Sequence, residues 1–140
     1  MSMTIDEVSR EYIRLKLGQA REVIEEARGL LEDGAELKYA VNSVYYGFYY
    51  PVLGLLHAKG YGSSMQSISI ALFEKEFRDS GLFEPSTLNS IRKAFELKPK
   101  CSSGTPVLIT RDDVETLISE AELFAKAVSH TSDLSDQSHR

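Results

Sequence analysis

The chain has 140 residues, a length that suits one domain. Its 16 basic and 21 acidic side chains give a net charge of −5. This charge argues against nucleic-acid binding by the protein as a whole, although not against binding by a local basic patch. Its single cysteine, Cys101, excludes an internal disulfide framework and suits a reducing compartment. The N-terminus lacks the basic and apolar regions of a signal peptide and no stretch suits a bilayer span, so we expect a cytoplasmic protein without a membrane partner.

The first predicted helix begins at a capping box, in which Thr4 is the N-cap and Glu7 reaches back to it. Apolar residues then recur at steps of three and four, the spacing of one helix face. They are Ile13, Leu17, Ala20, Ile24, Ala27 and Leu31. Gly34 follows at a plausible left-handed cap, and the short link behind it predicts antiparallel packing against the next helix.

The stretch from Tyr39 to Leu56 contains no charged residue and holds five of the seven tyrosines. Because it is apolar around most of its circumference, it predicts the central helix of a bundle, with a kink at Pro51. Asn42 and the tyrosine hydroxyls bring polar atoms into this region, where each needs a partner. Two interpretations remain open. These groups satisfy one another or reach the surface, or they line a groove, for which Asn42, Tyr46 and Tyr50 are the candidates.

Two shorter helices are predicted next. Ser63 or Ser64 caps the third helix, and Asp79-Ser80-Gly81 closes it. Its apolar residues are Ile68, Ile70, Leu72, Phe73 and Phe77. Pro85 suits the first turn of the fourth helix, which Pro99 is expected to stop. Its inner face is Leu88, Ile91 and Phe95.

Residues 99–110 are expected to form the longest loop, and long loops in compact domains are often functional. Thr110 and Asp113 then form a capping box for the last helix. Its inner face is Val114, Leu117, Ala121, Phe124 and Val128. The predicted fold is an all-α, up-and-down helical bundle of four to five helices in residues 1–129, followed by a disordered tail in residues 130–140.

The candidate chemistry is limited. No spacing among His57, His130 and His139 suggests a metal site, and the two glycines after Lys59 lack the Gly-Lys-Ser/Thr of a phosphate loop. We therefore expect no metal, no cofactor and no catalytic residue.

A basic cluster crowds the end of the fourth predicted helix, and it has two interpretations. Cations there can simply complement the helix dipole. Together with the hydroxyls and amides that follow, they can also hold a phosphate. The candidate phosphate-binding residues are Arg92, Lys98, Lys100, Ser102 and Ser103.

The chain resembles the HEPN domains, small helical bundles of prokaryotes, in the stand-alone form often encoded beside a minimal nucleotidyltransferase. The most specific part of the resemblance is the run Tyr39-Ala40-Val41-Asn42-Ser43-Val44-Tyr45-Tyr46. Further matching residues are Ala27, Leu30-Leu31, Gly34, Phe48, Lys59-Gly60, Leu72-Phe73, Phe77, Gly81-Leu82 and Phe95-Glu96-Leu97. The resemblance extends from about residue 10 to residue 128.

The resemblance implies a homodimer with a basic cleft between protomers. Active members are metal-independent ribonucleases with an Arg-x4–6-His motif, which this sequence lacks. The stand-alone branch more often has Arg-x-x-x-Asp-Tyr, where this chain has Lys98, Ser102 and Ser103. Two histidines common in that branch are replaced by Gln66 and Tyr50. Neither Lys nor Ser is an acid–base group near pH 7 unaided, so we expect a non-catalytic role.

The leading hypothesis is a regulatory HEPN protein that binds nucleotide or RNA phosphate and a nucleotidyltransferase partner, as in a toxin–antitoxin pair. The alternatives are a divergent ribonuclease toxin and a ligand-free structural interaction module. Apolar residues that one bundle does not easily bury also predict a homodimer. They are Tyr12, Tyr61 and Val107-Leu108-Ile109.

Overall fold

A computed structural model describes residues 6–61, 66–104 and 108–137. They form the helices α1 (Glu7–Glu32), α2 (Leu37–Ala58), α3 (Gln66–Phe77), α4 (Pro85–Ser103) and α5 (Arg111–Gln137). No strand occurs in these ranges. The prediction of an all-α helical bundle is confirmed.

Helix α1 begins later than the sequence suggested. Asp6 is its N-cap, and the Asp6 carboxylate accepts a hydrogen bond of 2.7 Å from the backbone N–H of Ser9. The predicted N-cap, Thr4, lies outside the described residues. Aspartate caps a helix as well as threonine does, which explains the shift. All six residues of the predicted inner face are buried.

Helix α2 is the centre of the bundle and runs without interruption through Pro51, which is buried; the kink there stays a prediction. It packs antiparallel to α1, with Gly47 beside Ile24 and the later Gly54 beside the earlier Ile13. Gly47 and Gly54 allow the close approach, because a Cβ on Gly47 would lie 2.7 Å from Cγ1 of Ile24. At Gly54 a Cβ would lie 3.3 Å from Cγ1 of Ile13. The short link between the helices contains Gly34, whose φ of 75° confirms the predicted left-handed cap.

The remaining helices complete the core with aromatic side chains. Phe73 and Phe77 of α3 stack with ring centroids 5.2 Å apart, and Phe124 of α5 meets Phe73 edge-on at 5.7 Å. Edge-to-face and offset-stacked pairs of this kind add to the stability gained by burial alone. The predicted inner face of α5 is entirely buried, and so is Ile91 of α4. The predicted caps of α3, Ser63 and Ser64, lie outside the described residues.

The expected helix stop at Pro99 is wrong, and so is the loop predicted to begin there. Helix α4 continues to Ser103 and is capped by Gly104, whose φ of 78° is left-handed. Pro99 deprives α4 of the bond to the carbonyl four residues earlier, and its ring crowds that carbonyl. The turn beyond it is stabilised by Cys101, which packs against the core, and by the Gly104 N–H, which donates to the Lys100 carbonyl.

The predicted capping box at the start of α5 is confirmed. The Thr110 N–H donates to Oδ2 of Asp113 at 2.9 Å, and the Asp113 N–H donates to Oγ1 of Thr110 at 3.1 Å. Helix α5 extends beyond Ser129, where the sequence suggested its end, to Gln137. The hydroxyl of Thr131 is buried and donates to the Ala127 carbonyl, which makes a polar residue compatible with the helix there. The disorder of residues 130–140 stays a prediction.

Helices α1 and α4 both pack against α2, but within the described chain they do not contact each other. Among the described residues, one face of the central helix therefore stays partly exposed between them. This face carries Asn42, Tyr46 and Tyr50, none of which is buried.

The apolar residues assigned to a dimer surface divide into two groups. Tyr61 and Ile109 are half-buried against the core, whereas Leu108 is fully exposed. Val107 lies outside the described residues. Other exposed apolar side chains are Val8 and Leu15 on α1 and Leu123 on α5.

Candidate functional site

The partly exposed face of α2 forms the floor of a groove lined mainly by tyrosines. The rings of Tyr46 and Tyr50 are one helical turn apart, with centroids separated by 5.8 Å. Helix α1 lies on one side of them and α4 on the other. We call this surface the tyrosine groove and define it by Tyr12, Lys16, Tyr46, Tyr50 and Lys98. The structure thus places two of the three predicted groove residues in it, and Asn42 is exposed one turn before Tyr46.

Helix α4 contributes one ammonium group to the tyrosine groove. Nζ of Lys98 lies 5.6 Å from the ring centroid of Tyr45 and 5.8 Å from that of Tyr46. These are cation–π distances, which hold the flexible lysine chain over the rings. The predicted phosphate-binding residue Lys98 and the predicted groove residue Tyr46 are therefore parts of one surface.

Helix α1 contributes a second ammonium group, that of Lys16, which the sequence analysis did not single out. Nζ of Lys16 lies 5.3 Å from the ring centroid of Tyr12 and 5.4 Å from that of Tyr50. The Tyr12 ring also stacks on the imidazole of His57 at 4.3 Å. Further along this face of α1, Oε1 of Gln19 is buried and has no hydrogen-bond partner among the described residues. The i, i+4 spacing of Tyr12 and Lys16 was the one signal in the sequence for this pair.

Lys98 also lines an open cavity of about 490 Å³ to which α2, α3 and α4 contribute residues. Its lining is Tyr45, Ile70, Glu74, Arg92, Phe95, Glu96, Lys98 and Pro99. The cavity therefore combines an aromatic and apolar wall with two cationic and two anionic side chains. Burial raises the pKa of the Tyr45 hydroxyl, so this phenol stays protonated near neutral pH.

Arg92 lies in this cavity but is already paired. Nε of Arg92 donates to Oε1 of Glu74 at 3.3 Å, and Nη2 donates to Oε2 of the same carboxylate. This two-pronged pair raises the pKa of Arg92. A smaller cavity of about 290 Å³ between α3 and α4 shares both residues with the first.

The other predicted phosphate-binding residues lie elsewhere. Lys100, Ser102 and Ser103 are exposed on the last turn of α4 and do not line the cavity. The hydroxyl of Ser103 donates to the Lys100 carbonyl at 3.1 Å. The structure therefore brings Arg92 and Lys98 together and leaves the remaining three outside the cavity, because the helix that continues through Pro99 turns them away.

The described residues contain no group of three or more His, Cys, Asp or Glu side chains that could hold a metal ion. None of the helices, as far as the structure describes them, is both long and apolar enough to cross a membrane. The thiol of Cys101 is half-buried, and this burial raises its pKa. A thiol of that kind is a poor nucleophile near neutral pH.

The geometry defines the chain as a small helical-bundle protein with an open aromatic and cationic groove. No family model matches the sequence. A UPF0332 protein of Thermotoga maritima is 33% identical over 118 residues, which cover 84% of this chain and 86% of that protein. The chain belongs to the UPF0332 family.

Proposed function

We propose that this protein is a cytoplasmic, non-catalytic HEPN-type binding module that holds the phosphate of a nucleotide or RNA in the tyrosine groove. The observation that carries the proposal is the position of Lys98, whose ammonium lies over Tyr45 and Tyr46 at the edge of the cavity. Ammonium groups pair with phosphates, and exposed aromatic rings stack with bases. Lys98 and Lys16 with the rings between them supply both kinds of group.

The absence of an Arg-x4–6-His motif supports a regulatory role over catalysis. A regulatory protein of this kind acts through a partner, and we propose a nucleotidyltransferase as that partner, in a toxin–antitoxin-like pair. Copurification with a nucleotidyltransferase encoded beside this chain tests the partner.

The ligand is tested by fluorescence binding of a short 5′-phosphorylated oligouridylate labelled at its 3′ end. Lys98→Ala is expected to weaken binding by about tenfold or more, since a hydrogen bond to a charged group contributes about 1.5–3 kcal/mol. Lys100→Ala is the matched control, because it removes the same charge from the same helix at a residue outside the cavity. Competition by ADP separates a nucleotide ligand from an RNA ligand.

Binding should also weaken with added salt, because each phosphate contact releases counterions. Equal losses in Lys98→Ala and Lys100→Ala would contradict the assignment, because they would show a diffuse charge effect. No binding by the wild type would leave the structural interaction module as the better description.

A divergent ribonuclease is the second candidate, and one observation favours it. The imidazole of His57 is exposed and stacks on Tyr12 at one end of the groove, and an imidazole suits acid–base catalysis near pH 7. The binding assay distinguishes this candidate directly. The labelled oligouridylate is recovered intact if the protein only binds it, whereas metal-independent shortening that His57→Ala abolishes would establish the ribonuclease.

A further inference from the structure

One carboxylate lies between two guanidinium groups at the boundary of the two cavities. Oε2 of Glu74 accepts from Nη2 of Arg92 and also, at 3.0 Å, from Nη2 of Arg78, the residue that directly follows α3. Glu74 is the more buried partner, with about a quarter of its side chain exposed against more than half of each arginine. The Nε–Nη2 edge of Arg92 is therefore occupied in this structure by a group of the protein itself.

The pairing resembles the way in which arginine binds a phosphate. A guanidinium presents two parallel N–H donors to the two oxygens of a carboxylate or to two oxygens of a phosphate, with the same geometry in both cases. The two oxygens of Glu74 thus occupy the positions that phosphate oxygens would take on Arg92. A ligand phosphate in the cavity can take this Nε–Nη2 edge of Arg92 only after the carboxylate leaves.

We propose that Glu74 is an internal competitor for the ligand phosphate and that its displacement from Arg92 sets the affinity of the site. This inference rests on the proposed function, because it concerns the same cavity. It adds a specificity-determining residue on α3, a helix to which the sequence analysis gave no role in binding.

The displacement requires no rearrangement of the bundle. Helix α3 is held through Phe73 and Phe77, which are buried on its inner face, so rotation of the Glu74 side chain alone is enough to release Arg92. After the release Glu74 keeps an ion-pair partner, since Arg78, four residues later in the chain and just beyond the end of α3, pairs with the same carboxylate. Partly exposed ion pairs are individually weak, so a phosphate that carries more charge than a carboxylate competes well.

The test measures binding of the labelled oligouridylate to Glu74→Gln and to Glu96→Gln. Both carboxylates line the cavity, and both variants remove one negative charge, but only Glu74 is hydrogen-bonded to Arg92. Glu74→Gln is expected to bind about two- to fivefold more tightly than Glu96→Gln, the range that the loss of one partly exposed ion pair allows. In an Arg92→Gln background the advantage of Glu74→Gln should disappear, as a double-mutant cycle would show.

The outcomes separate this inference from the proposed function. If Lys98→Ala weakens binding but Glu74→Gln and Glu96→Gln bind equally, the groove is the site and the competition by Glu74 is refuted. If neither the wild type nor Glu74→Gln binds, both proposals are refuted. Thermal unfolding supplies a further check. If the ion pair is merely structural, Glu74→Gln should have a lower melting temperature and should not bind more tightly. That result also overturns the inference.

Discussion

Thr110 and Asp113 form two reciprocal hydrogen bonds between backbone and side chain at the start of α5. The stability that this pair contributes depends on pH. The backbone N–H of Thr110 donates to the Asp113 carboxylate and holds its pKa below the ordinary value of 3.8. Lys93 of α4 lies 3.7 Å from the same carboxylate and acts in the same direction. A single carboxylate thus links the cap of α5 to the helix that carries Arg92 and Lys98.

The sign of the pH dependence follows from that lowered pKa. The folded protein binds the Asp113 proton less readily than the unfolded chain does, so the contribution is fully present above pH 3.8 and is lost as the pH falls through the folded pKa. Asp113→Asn is expected to lower the melting temperature at neutral pH, with a difference from wild type that narrows in acid. Asp112→Asn, which removes a charge from the same turn, is the control in the same melting series. Identical losses in both variants would point to the helix dipole instead of this hydrogen bond.

At the scale of the helix, close contact between α1 and α2 depends on a glycine. A Cβ on Gly47 would approach Cγ1 of Ile24 to 2.7 Å and its Cδ1 to 3.3 Å, and Ile24 is buried with little freedom to move. The rigid spacing of these two helices also sets where Lys16 of α1 meets Tyr50 of α2.

Gly47→Ala is therefore expected to lower the free energy of unfolding by about 1 kcal/mol or more. Overpacking destabilises the fold by about 1–3 kcal/mol, whereas the better helix propensity of alanine stabilises it by only about 0.5–1 kcal/mol. Gly18→Ala is the matched control, since a Cβ there meets no atom within 4 Å, and it should stabilise α1. Urea unfolding of both variants measures the two effects. A stabilised Gly47→Ala would mean that α1 and α2 can separate slightly without cost.

The helices were largely predictable from the sequence because burial follows the helical period. The inner faces of α1 and α5 were identified residue by residue, and so was the reciprocal cap of Thr110 and Asp113. The end of α4 was not predictable, since the local rule for Pro99 is outweighed by the packing of Cys101 against the core.

The site was predictable only in part. Tyr46, Tyr50 and Lys98 carry signals within their own helices. The contribution of Lys16 depends on how α1 is rotated against α2, and the pairing of Glu74 with Arg92 joins residues 18 positions apart on separate helices. Contacts of that kind are set by tertiary packing, so no local pattern indicates them.

At the scale of the whole molecule, the exposed apolar residues bear on assembly. Val8 is 74% exposed and Leu15 is 60% exposed, seven residues apart on α1 and therefore on the same face of that helix. Tyr12 and Lys16 of the tyrosine groove lie beside them on α1. An exposed apolar face of this kind usually marks a contact surface, and twofold pairing is its commonest use.

We predict that the wild type is a homodimer at micromolar concentration. Leu15→Glu should shift the measured mass toward that of the monomer, because a charged side chain opposes burial of the contact surface. Light scattering measures both proteins. Leu123→Glu on α5 is the control, since it places the same charge on an exposed leucine of another helix. A monomeric wild type would contradict the homodimer, and dissociation by Leu123→Glu alone would move the contact to α5.

The open face of α2 has a consequence for how this protein can diversify. Residues on the opposite face, such as Val44 and Phe48, are fully buried and fix the fold, whereas Asn42, Tyr46 and Tyr50 face outward between two helices that do not touch. Surface substitutions away from core packing generally change stability little. Under the proposed function, recognition and foldability are encoded by different faces of one helix, and we expect substitutions at positions 42, 46 and 50 to change the ligand without changing the core.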